Sequence, residues 1–237
     1  MKTCMIDVLG RCGRVEDAEA YMHQHGLNHD QVCLSTVMGA CRIHRNLNVA
    51  ERVFSLMKKF TSSSSATHVA MLHIYAKHGE WDKRSALMSD MKELNIKRTP
   101  GVSYVEVDGI AHRFSVSDTS FEHHEQVYSF LRHLRERITD KLGYKPDLTC
   151  VTRYFESDHD KIQHLWEHSE KIALGYALMN TKPEDHIVIT NNLRICEDCH
   201  HAMELISREY SGRMIQVRDA NRFHHFKDGS CSCGNKY

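Results

Sequence analysis

A repeat of 32 to 34 residues near the start of the chain limits most strongly what this sequence can fold into. Three segments share a helix end, a short turn and the start of an amphipathic helix: LGRCGRVEDAEAYM, GACRIHRNLNVAERVF and IYAKHGEWDKRSALM. Their turn positions, Gly13, Arg45 and Gly79, are 32 and 34 residues apart. This period is typical of helix-turn-helix units that bury their apolar faces only against neighbouring units. Residues 1–95 are therefore predicted to form an α-solenoid.

The hydrophobic pattern changes after this region. Pro100-Gly101 is a turn signal, and alternating apolar residues on both sides of Asp108-Gly109 are typical of a β-hairpin. Apolar residues then recur at helical spacing over residues 121–142, and Gly143 is expected to end that helix. We therefore expect a hairpin region at residues 96–120 and a second domain at residues 121–237, which makes the chain an α+β protein.

Four of the nine cysteines form two close pairs, Cys196 with Cys199 and Cys231 with Cys233. An odd total and such close pairs fit a disulfide framework poorly, whereas they suit metal binding. The sequence therefore favours metal sites in the C-terminal part of the chain. The other five cysteines are predicted to be small buried hydrophobic residues: Cys4, Cys12, Cys33, Cys41 and Cys150.

A His-x-Glu triplet, His168 and Glu170, opens an apolar helical pattern, and Cys196 follows 28 residues after His168. A catalytic zinc has three protein ligands and keeps a fourth position for water. His168, Cys196 and Cys199 supply three such ligands, and Glu170 would take the proton of the water and pass it to the base and the leaving ammonia. This pattern indicates a zinc nucleobase deaminase, although Ile195 stands where such sites usually have a proline. A purely structural zinc is the alternative, because a C-x-x-C pair also suits one.

More potential ligands lie further along the chain. His200 follows the second cysteine directly, and RFHHFKDGSCSCG brings His224, His225, Cys231 and Cys233. We predict a second, closed tetrahedral site of His200, His224, Cys231 and Cys233, which has no position for water and is therefore structural. His225 is expected to lie at the surface or behind a ligand. The alternative is an unligated tail, which would expose an oxidisable pair of thiols.

Several motifs occur together and in order along the chain: LGRCGRVEDA, GACRIHRNLNVAERV, GYKPD, HSEKIALGYAL, NLRICEDCHHAMELIS and VRDANRFHHFKDGSCSCG. Together they resemble the C-terminal part of plant pentatricopeptide repeat (PPR) RNA-editing factors of the DYW class. The resemblance covers essentially the whole chain: a last repeat with the E1 and E2 motifs to about residue 95, the PG box around Pro100-Gly101, and then the DYW deaminase domain.

The resemblance implies a cytidine-deaminase-like α/β/α domain that converts cytidine to uridine in single-stranded RNA, in mitochondria or chloroplasts. It also implies two zinc ions per chain. Matched position by position, it assigns His168, Cys196 and Cys199 to the catalytic zinc and Glu170 to proton transfer. The structural zinc is assigned the remaining four ligands: His200, His224, Cys231 and Cys233.

The implied partners are RNA and, through the E-type repeats, other editing factors; no apolar run suits a membrane span. Lys and Arg (31) balance Asp and Glu (31), which gives no basic footprint for RNA. In this family upstream repeats read the RNA, so the deaminase needs little affinity of its own. Arg194, Arg218 and Arg222 are candidates for phosphate contacts, with solvated surface charges as the alternative. Stacking candidates, for which a core position is favoured, are Tyr104, His112, Phe114 and Trp166.

Two features depart from the family pattern. The chain ends in Asn235-Lys236-Tyr237 instead of Asp-Tyr-Trp, and a divergent subgroup with altered terminal residues is linked to the reverse, U-to-C reaction. Uridine amination is therefore kept as an alternative. The opening MKTCMIDVLG starts within a repeat without a transit peptide, so a catalytic fragment is expected. A non-catalytic, zinc-stabilised docking or RNA-binding module is the competing function, and Glu170 argues against it because a structural zinc needs no adjacent acid.

Overall fold

The computed structural model describes residues 2–60, 65–151 and 153–234, without the side chain of Phe60. The chain divides into two compact units between Thr99 and Pro100, and each unit has its own hydrophobic core. The terminal triplet Asn235-Lys236-Tyr237, on which the U-to-C alternative depends, lies outside the described residues.

The regular elements described in the first unit are all α-helices. Its described helices are α1 Lys2–Arg11, α2 Val15–Gln24, α3 Gln31–His44, α4 Leu47–Phe60, α5 Ser65–Lys77 and α6 Trp81–Glu93. The three predicted turn positions have positive φ angles, 80° at Gly13, 54° at Arg45 and 70° at Gly79, so the chain reverses after α1, α3 and α5. Because α3 also packs against α1 and α5, the helix pairs stack on one another as in a solenoid.

The second unit combines a sheet with helices. Its described elements are β1 Val102–Val107, β2 Ile110–Ser115, α7 His124–Leu142, a 3₁₀ turn Leu148–Cys150, α8 Asp158–Trp166, α9 Ser169–Asn180, β3 Ile187–Asn191, α10 Glu197–Glu209, β4 Ile215–Arg218, β5 Phe223–Lys227 and β6 Ser230–Cys231. Within the described residues the sheet has the order β2-β1-β3-β4-β5-β6, with β3 and β4 parallel and the other neighbours antiparallel. The class is α+β, as the sequence predicts.

The predicted hairpin joins this sheet. Asp108 and Gly109 have φ angles of 51° and 75°, which suit a tight turn between two antiparallel strands, β1 and β2. Burial alternates along β1, β3, β4 and β5. One face of the sheet packs on the helices, and the other carries exposed side chains. The helices that carry the candidate site therefore lie against the buried face of the sheet.

Helix α9 lies at the centre of the second unit, and nine of its twelve residues are buried. It contacts β1, β2 and β3 on one side and α7 on another. At Gly175 the two helices approach so closely that a Cβ atom would lie 2.8 Å from Leu131 Cδ2. This packing fixes the N-terminus of α9, where the candidate site lies.

The cysteines outside the two pairs fall into two groups. Cys33, Cys41 and Cys150 are buried as predicted, whereas Cys4 and Cys12 are exposed. The prediction was wrong for these two because α1 buries only Ile6 and Gly10, which leaves Cys4 in solvent, and because Cys12 lies in the exposed turn after α1. Among the described residues, no helix has the length and apolar character that crossing a membrane requires.

Candidate active site

The first candidate metal-binding cluster forms where two helices begin. His168 is the N-cap residue of α9, Cys196 is the N-cap residue of α10, and Cys199 lies in the first turn of α10. His168 Nδ1 is 3.6 Å from Cys196 Sγ and 3.4 Å from Cys199 Sγ. The ligand atoms of the three residues all lie within 4.8 Å of one another. The structure thus brings together three predicted ligands from segments far apart in the sequence.

The spacing of these atoms fits a tetrahedral metal ion. With metal bonds of about 2.0 Å to nitrogen and about 2.3 Å to sulfur, tetrahedral ligands lie about 3.5 Å apart. The two distances from His168 Nδ1 agree with this value. One ring nitrogen makes a single hydrogen bond, so its equal approach to two sulfur atoms is better explained by a shared ion than by hydrogen bonding.

The surroundings of Cys196 favour the thiolate that metal binding requires. Hydrogen bonds from Cys150 and from Cys199 hold the pKa of the Cys196 thiol well below its ordinary value. The backbone amide of Cys199 also donates to Cys196 Sγ at 3.3 Å. Both cysteines lie at the positive end of the α10 dipole, which stabilises negative charge further. Cys150, predicted only as a buried hydrophobic residue, therefore also touches the cluster.

Glu170 lies in the first turn of α9 and is buried, with 6% of its surface exposed. A chain of buried hydrogen bonds leads to it: Asn191 Nδ2 donates to Ser103 Oγ at 3.0 Å, Ser103 Oγ to Ser169 Oγ at 3.0 Å, and Ser169 Oγ to Glu170 Oε2 at 3.2 Å. Burial raises the pKa of the Glu170 carboxyl group. Such a carboxyl group, held beside a metal cluster, is suited to accepting and returning a proton.

Behind the cluster lies a buried ion pair that the sequence analysis missed. Lys171 Nζ is 2.5 Å from Asp198 Oδ2, 2.9 Å from the Leu165 carbonyl oxygen and 3.5 Å from Cys199 Sγ. The two charged side chains are 0% and 1% exposed. Burial opposes the charge of Lys171, but the Asp198 carboxylate outweighs it, and the pKa of Lys171 lies well above its ordinary value. A permanent positive charge therefore lies directly behind one cysteine ligand.

Trp166 belongs to the same buried network. Its indole Nε1 donates to the Tyr144 hydroxyl at 3.2 Å, and that hydroxyl donates to Asp198 Oδ1 at 2.8 Å. The Lys171 ammonium lies over the Trp166 ring, 5.3 Å from its centroid. Only 4% of Trp166 is exposed. The suggestion that Trp166 stacks on RNA is therefore wrong, because its ring fills the core and its one donor is used there.

The second cluster joins the start of α10 to the last strands. His200 Nε2 is 3.2 Å from Cys233 Sγ, and His224 Nδ1 is 3.7 Å from Cys231 Sγ. All four ligand atoms lie within 4.8 Å of one another, which fits a closed tetrahedral site. His225 alternates with buried His224 on β5 and is exposed, in agreement with its expected surface position.

Asp219, which the sequence analysis also missed, connects the two clusters. Its Oδ2 accepts from the Ile195 backbone amide at 3.1 Å and lies 3.3 Å from His224 Nε2. A proton on Nε2 of His224 leaves Nδ1 to face the second cluster. Burial opposes ionisation of Asp219, but its hydrogen bonds prevail and hold its pKa well below the ordinary value. A proline at position 195 has no amide proton for this bond, which gives the isoleucine there a structural role.

The three arginine candidates lie at the same edge of the sheet in different settings. Arg218 is exposed at the end of β4, whereas Arg194 and Arg222 are partly buried and make other contacts. Of the other stacking candidates, Phe114 is buried and His112 is partly buried against the Tyr176 ring, 4.6 Å away. Tyr104 is exposed, so the favoured core position is wrong for this residue.

Sequence comparison identifies the protein family to which these two clusters belong. The sequence profile described as the DYW family of nucleic acid deaminases matches residues 143–237, which include both clusters and Glu170. The E motif matches residues 44–106, and the PPR repeat matches residues 1–24. The chain belongs to the DYW class of plant PPR proteins. Its sheet unit therefore contains a DYW deaminase domain, and its helical unit contains PPR and E-motif repeats.

Similar proteins occur in Arabidopsis thaliana. Pentatricopeptide repeat-containing protein At5g48910 is 41% identical over 233 residues, which cover 97% of this chain and 35% of that protein. The mitochondrial protein At5g46460 is 38% identical, with coverage of 98% and 33%. The chloroplastic protein ELI1 is 35% identical, with coverage of 98% and 36%. The DYW chain thus spans about a third of the length of these relatives.

Proposed function

We propose that the DYW domain of this chain hydrolyses cytidine to uridine in single-stranded RNA and releases ammonia. The observation that carries the proposal is the position of Glu170. A buried carboxyl group with a raised pKa lies at the N-terminus of the helix that presents His168, beside a cluster that has three ligands. A purely structural metal site needs neither an adjacent acid nor a missing fourth ligand.

In this proposal His168, Cys196 and Cys199 hold a zinc ion. When bound there, zinc lowers the pKa of a water molecule from about 15.7 towards about 7 and so supplies a nucleophile at neutral pH. The Glu170 carboxylate would accept one proton of that water and deliver it to the cytosine ring nitrogen as the oxygen bonds to C4. It would then carry the second proton of the same water to the amino group, which leaves as ammonia when the C4–N bond breaks. Ser169 orients Glu170 through its hydroxyl, 3.2 Å away, and Asn191 and Ser103 orient Ser169 in turn.

The second cluster is proposed to hold a structural zinc. Its four residues would fill all four positions of a tetrahedral zinc ion and leave none for water, so the ion would tie β5 and β6 to the start of α10. His200 follows Cys199 directly, and Asp219 contacts both His224 and Ile195. The second ion would therefore also stabilise the segment that presents the catalytic cysteines.

RNA as the substrate and an organelle as the location follow from the family. PPR units bind single-stranded RNA about one base per repeat, so an array can hold the target near the deaminase. Unstacking the edited base costs little in a single strand. Relatives whose names carry the words mitochondrial and chloroplastic suggest one of these two organelles. Other editing factors are proposed as partners of the E-motif repeats.

A second direction is kept because of one feature of the sequence. Asn235-Lys236-Tyr237 replaces the Asp-Tyr-Trp after which the class is named, and altered termini are linked to U-to-C editing. Uridine amination would use the same cluster and the same Glu170, with ammonia or another amino donor entering where hydrolysis releases it. Deamination and amination would thus use the same residues, and the edited base in the product distinguishes the two reactions.

The test is an editing assay in bacteria. The chain is fused behind a repeat array of known RNA preference, and target transcripts with either C or U at the edited position are sequenced. We expect conversion of C to U. Conversion of U to C would establish the reverse reaction instead. If neither base changes while metal content and fold are intact, the non-catalytic docking or RNA-binding module becomes the better account.

A further inference from the structure

One face of the sheet in the second unit carries a row of four exposed side chains and one partly buried side chain. The register places Arg113 opposite Tyr104, Tyr104 opposite Thr190, Thr190 opposite Arg218, and Arg218 opposite Phe223. Directly paired residues point to the same face of a sheet. These five residues, one from each of β2, β1, β3, β4 and β5, are called the cross-strand row. With strands about 4.8 Å apart, the row is about 19 Å long.

The row combines aromatic rings and cations in contact with solvent. Tyr104 is 44% exposed and Phe223 is 51% exposed, and both arginines are exposed. The Arg218 guanidinium lies over the Phe223 ring, 5.9 Å from its centroid. His225 extends this surface, since its ring is stacked on Phe223 at 6.3 Å and 19°. The Tyr104 and Phe223 rings therefore lie outside the hydrophobic core, where a ligand can reach them.

The charge of the row differs from that of its neighbour on the same face. The cross-strand row contains two arginines and no acid. The next residues on the same face, Glu106, Val188, Gln216 and His225, include an acid and a histidine but no arginine. The row thus offers positive charge and flat rings together, which is the combination that single-stranded nucleic acids bind.

On β3 and β4 the row is one residue away from groups of the candidate site, which are buried on the opposite face of the sheet. Asn191 follows Thr190, and Asp219 follows Arg218, at the carboxyl ends of the parallel pair β3 and β4. Asn191 donates to Ser103, which begins the hydrogen-bond chain to Glu170, and Asp219 accepts from Ile195 before the first cysteine. Ligands of sheets with parallel strands bind at this edge.

We propose that the cross-strand row binds the single-stranded RNA beside the edited base. Tyr104 and Phe223 stack on neighbouring bases, and Arg113 and Arg218 contact the phosphates between them. This inference rests on RNA being the substrate of the DYW domain, and it adds a binding surface to the catalytic cluster. Stacking recognises any base, so the row supplies affinity and alignment, while the choice of sequence stays with the repeats.

The test measures RNA binding apart from editing. The zinc-loaded 237-residue chain is titrated into a fluorescein-labelled single-stranded RNA, and anisotropy is followed at several salt concentrations. We expect Phe223→Ala to raise Kd about tenfold, since losing one stacked base weakens binding by about 5- to 150-fold. Arg218→Gln should also raise Kd, because it removes a phosphate contact. Arg218→Gln should also reduce the slope of log Kd against log salt by about 0.7.

Lys227→Gln is the matched control, because Lys227 is an exposed cation on the same strand and face as Phe223 but at the opposite end of β5. Its Kd should stay within twofold of the wild type. Metal content and thermal unfolding of every variant show whether the fold is retained, and Phe223→Leu, which keeps apolar volume without an aromatic ring, replaces Phe223→Ala if that variant unfolds.

Two outcomes would overturn the inference: wild-type affinity in the row variants, or an equal loss of affinity in Lys227→Gln. The proposed editing reaction is tested separately. RNA binding that depends on the row in a chain that does not edit would support the row and reject the reaction. Editing with unchanged Kd and KM in the row variants would support the reaction and reject the row.

Discussion

Replacing Glu170 by glutamine is expected to lower the rate of RNA deamination by about 10²–10⁴-fold, with metal content unchanged. Glutamine keeps the size of the side chain and can still accept the hydrogen bond that Ser169 Oγ donates to Glu170 Oε2 at 3.2 Å. It cannot accept the proton of the water molecule. Single-turnover editing of a target RNA measures the rate, and elemental analysis measures the metal.

Glu167→Gln is the matched control for this prediction. Glu167 lies three residues before Glu170, and its carboxylate accepts from Ser117 Oγ and from Gln163 Nε2, away from the cluster. Removing this charge should change the editing rate less than threefold. A Glu170→Gln chain that edits at the rate of Glu167→Gln would contradict the assignment of proton transfer to Glu170.

Replacing Lys171 by methionine is expected to lower the free energy of unfolding by about 3–5 kcal/mol. The variant leaves the Asp198 carboxylate buried without its cation, since both side chains are at most 1% exposed. It also removes the positive charge 3.5 Å from Cys199 Sγ, which should weaken metal binding at the first cluster. Urea unfolding of the zinc-loaded chain and competition with a chelator measure the two effects.

A double variant separates the ion pair from a simple packing role. In Lys171→Met with Asp198→Asn, no uncompensated charge is left, and the asparagine oxygen can still accept from Tyr144. The double variant should therefore be more stable than Lys171→Met alone, so that its loss of stability in a double-mutant cycle is smaller than the sum of the two single losses. Effects that simply add would show that Lys171 and Asp198 act independently and would rule out the ion pair as the cause.

The parts of the structure that the sequence predicts are those with local patterns. Gly13, Arg45 and Gly79 recur at the spacing of a helical repeat, and all three adopt the positive φ that the turn requires. Asp108-Gly109 forms the expected hairpin, and Gly143 ends α7 in the left-handed conformation. In each case the residues that decide the conformation are close together in the sequence.

The two metal clusters are long-range features, yet the sequence indicates them through chemistry. Few other roles bring histidines and paired cysteines together at such spacing, so ligand type compensates for the missing distances. The structure places the ligands of each cluster within 4.8 Å of one another. The identity and number of the ions remain part of the proposal.

The side chains around the clusters could not be predicted, because the residues that they contact belong to separate helices and strands. Lys171 and Asp198 are 27 residues apart, and nothing near either one signals that the other lies beside it. The sequence favours a core position for Trp166, but it does not show that the ring packs against Tyr144 and Lys171. Asp219 gains its role only when β4 brings it to Ile195 and His224.

The most direct test of the central claim removes zinc and restores it. The chain fused to a repeat array is stripped with a chelator, its zinc content is measured, and conversion of C in the target RNA is followed by sequencing before and after zinc is returned. The account predicts two zinc ions per loaded chain, no conversion in the stripped protein, and recovery with zinc. Full C-to-U conversion by a chain without zinc at His168, Cys196 and Cys199 would contradict it.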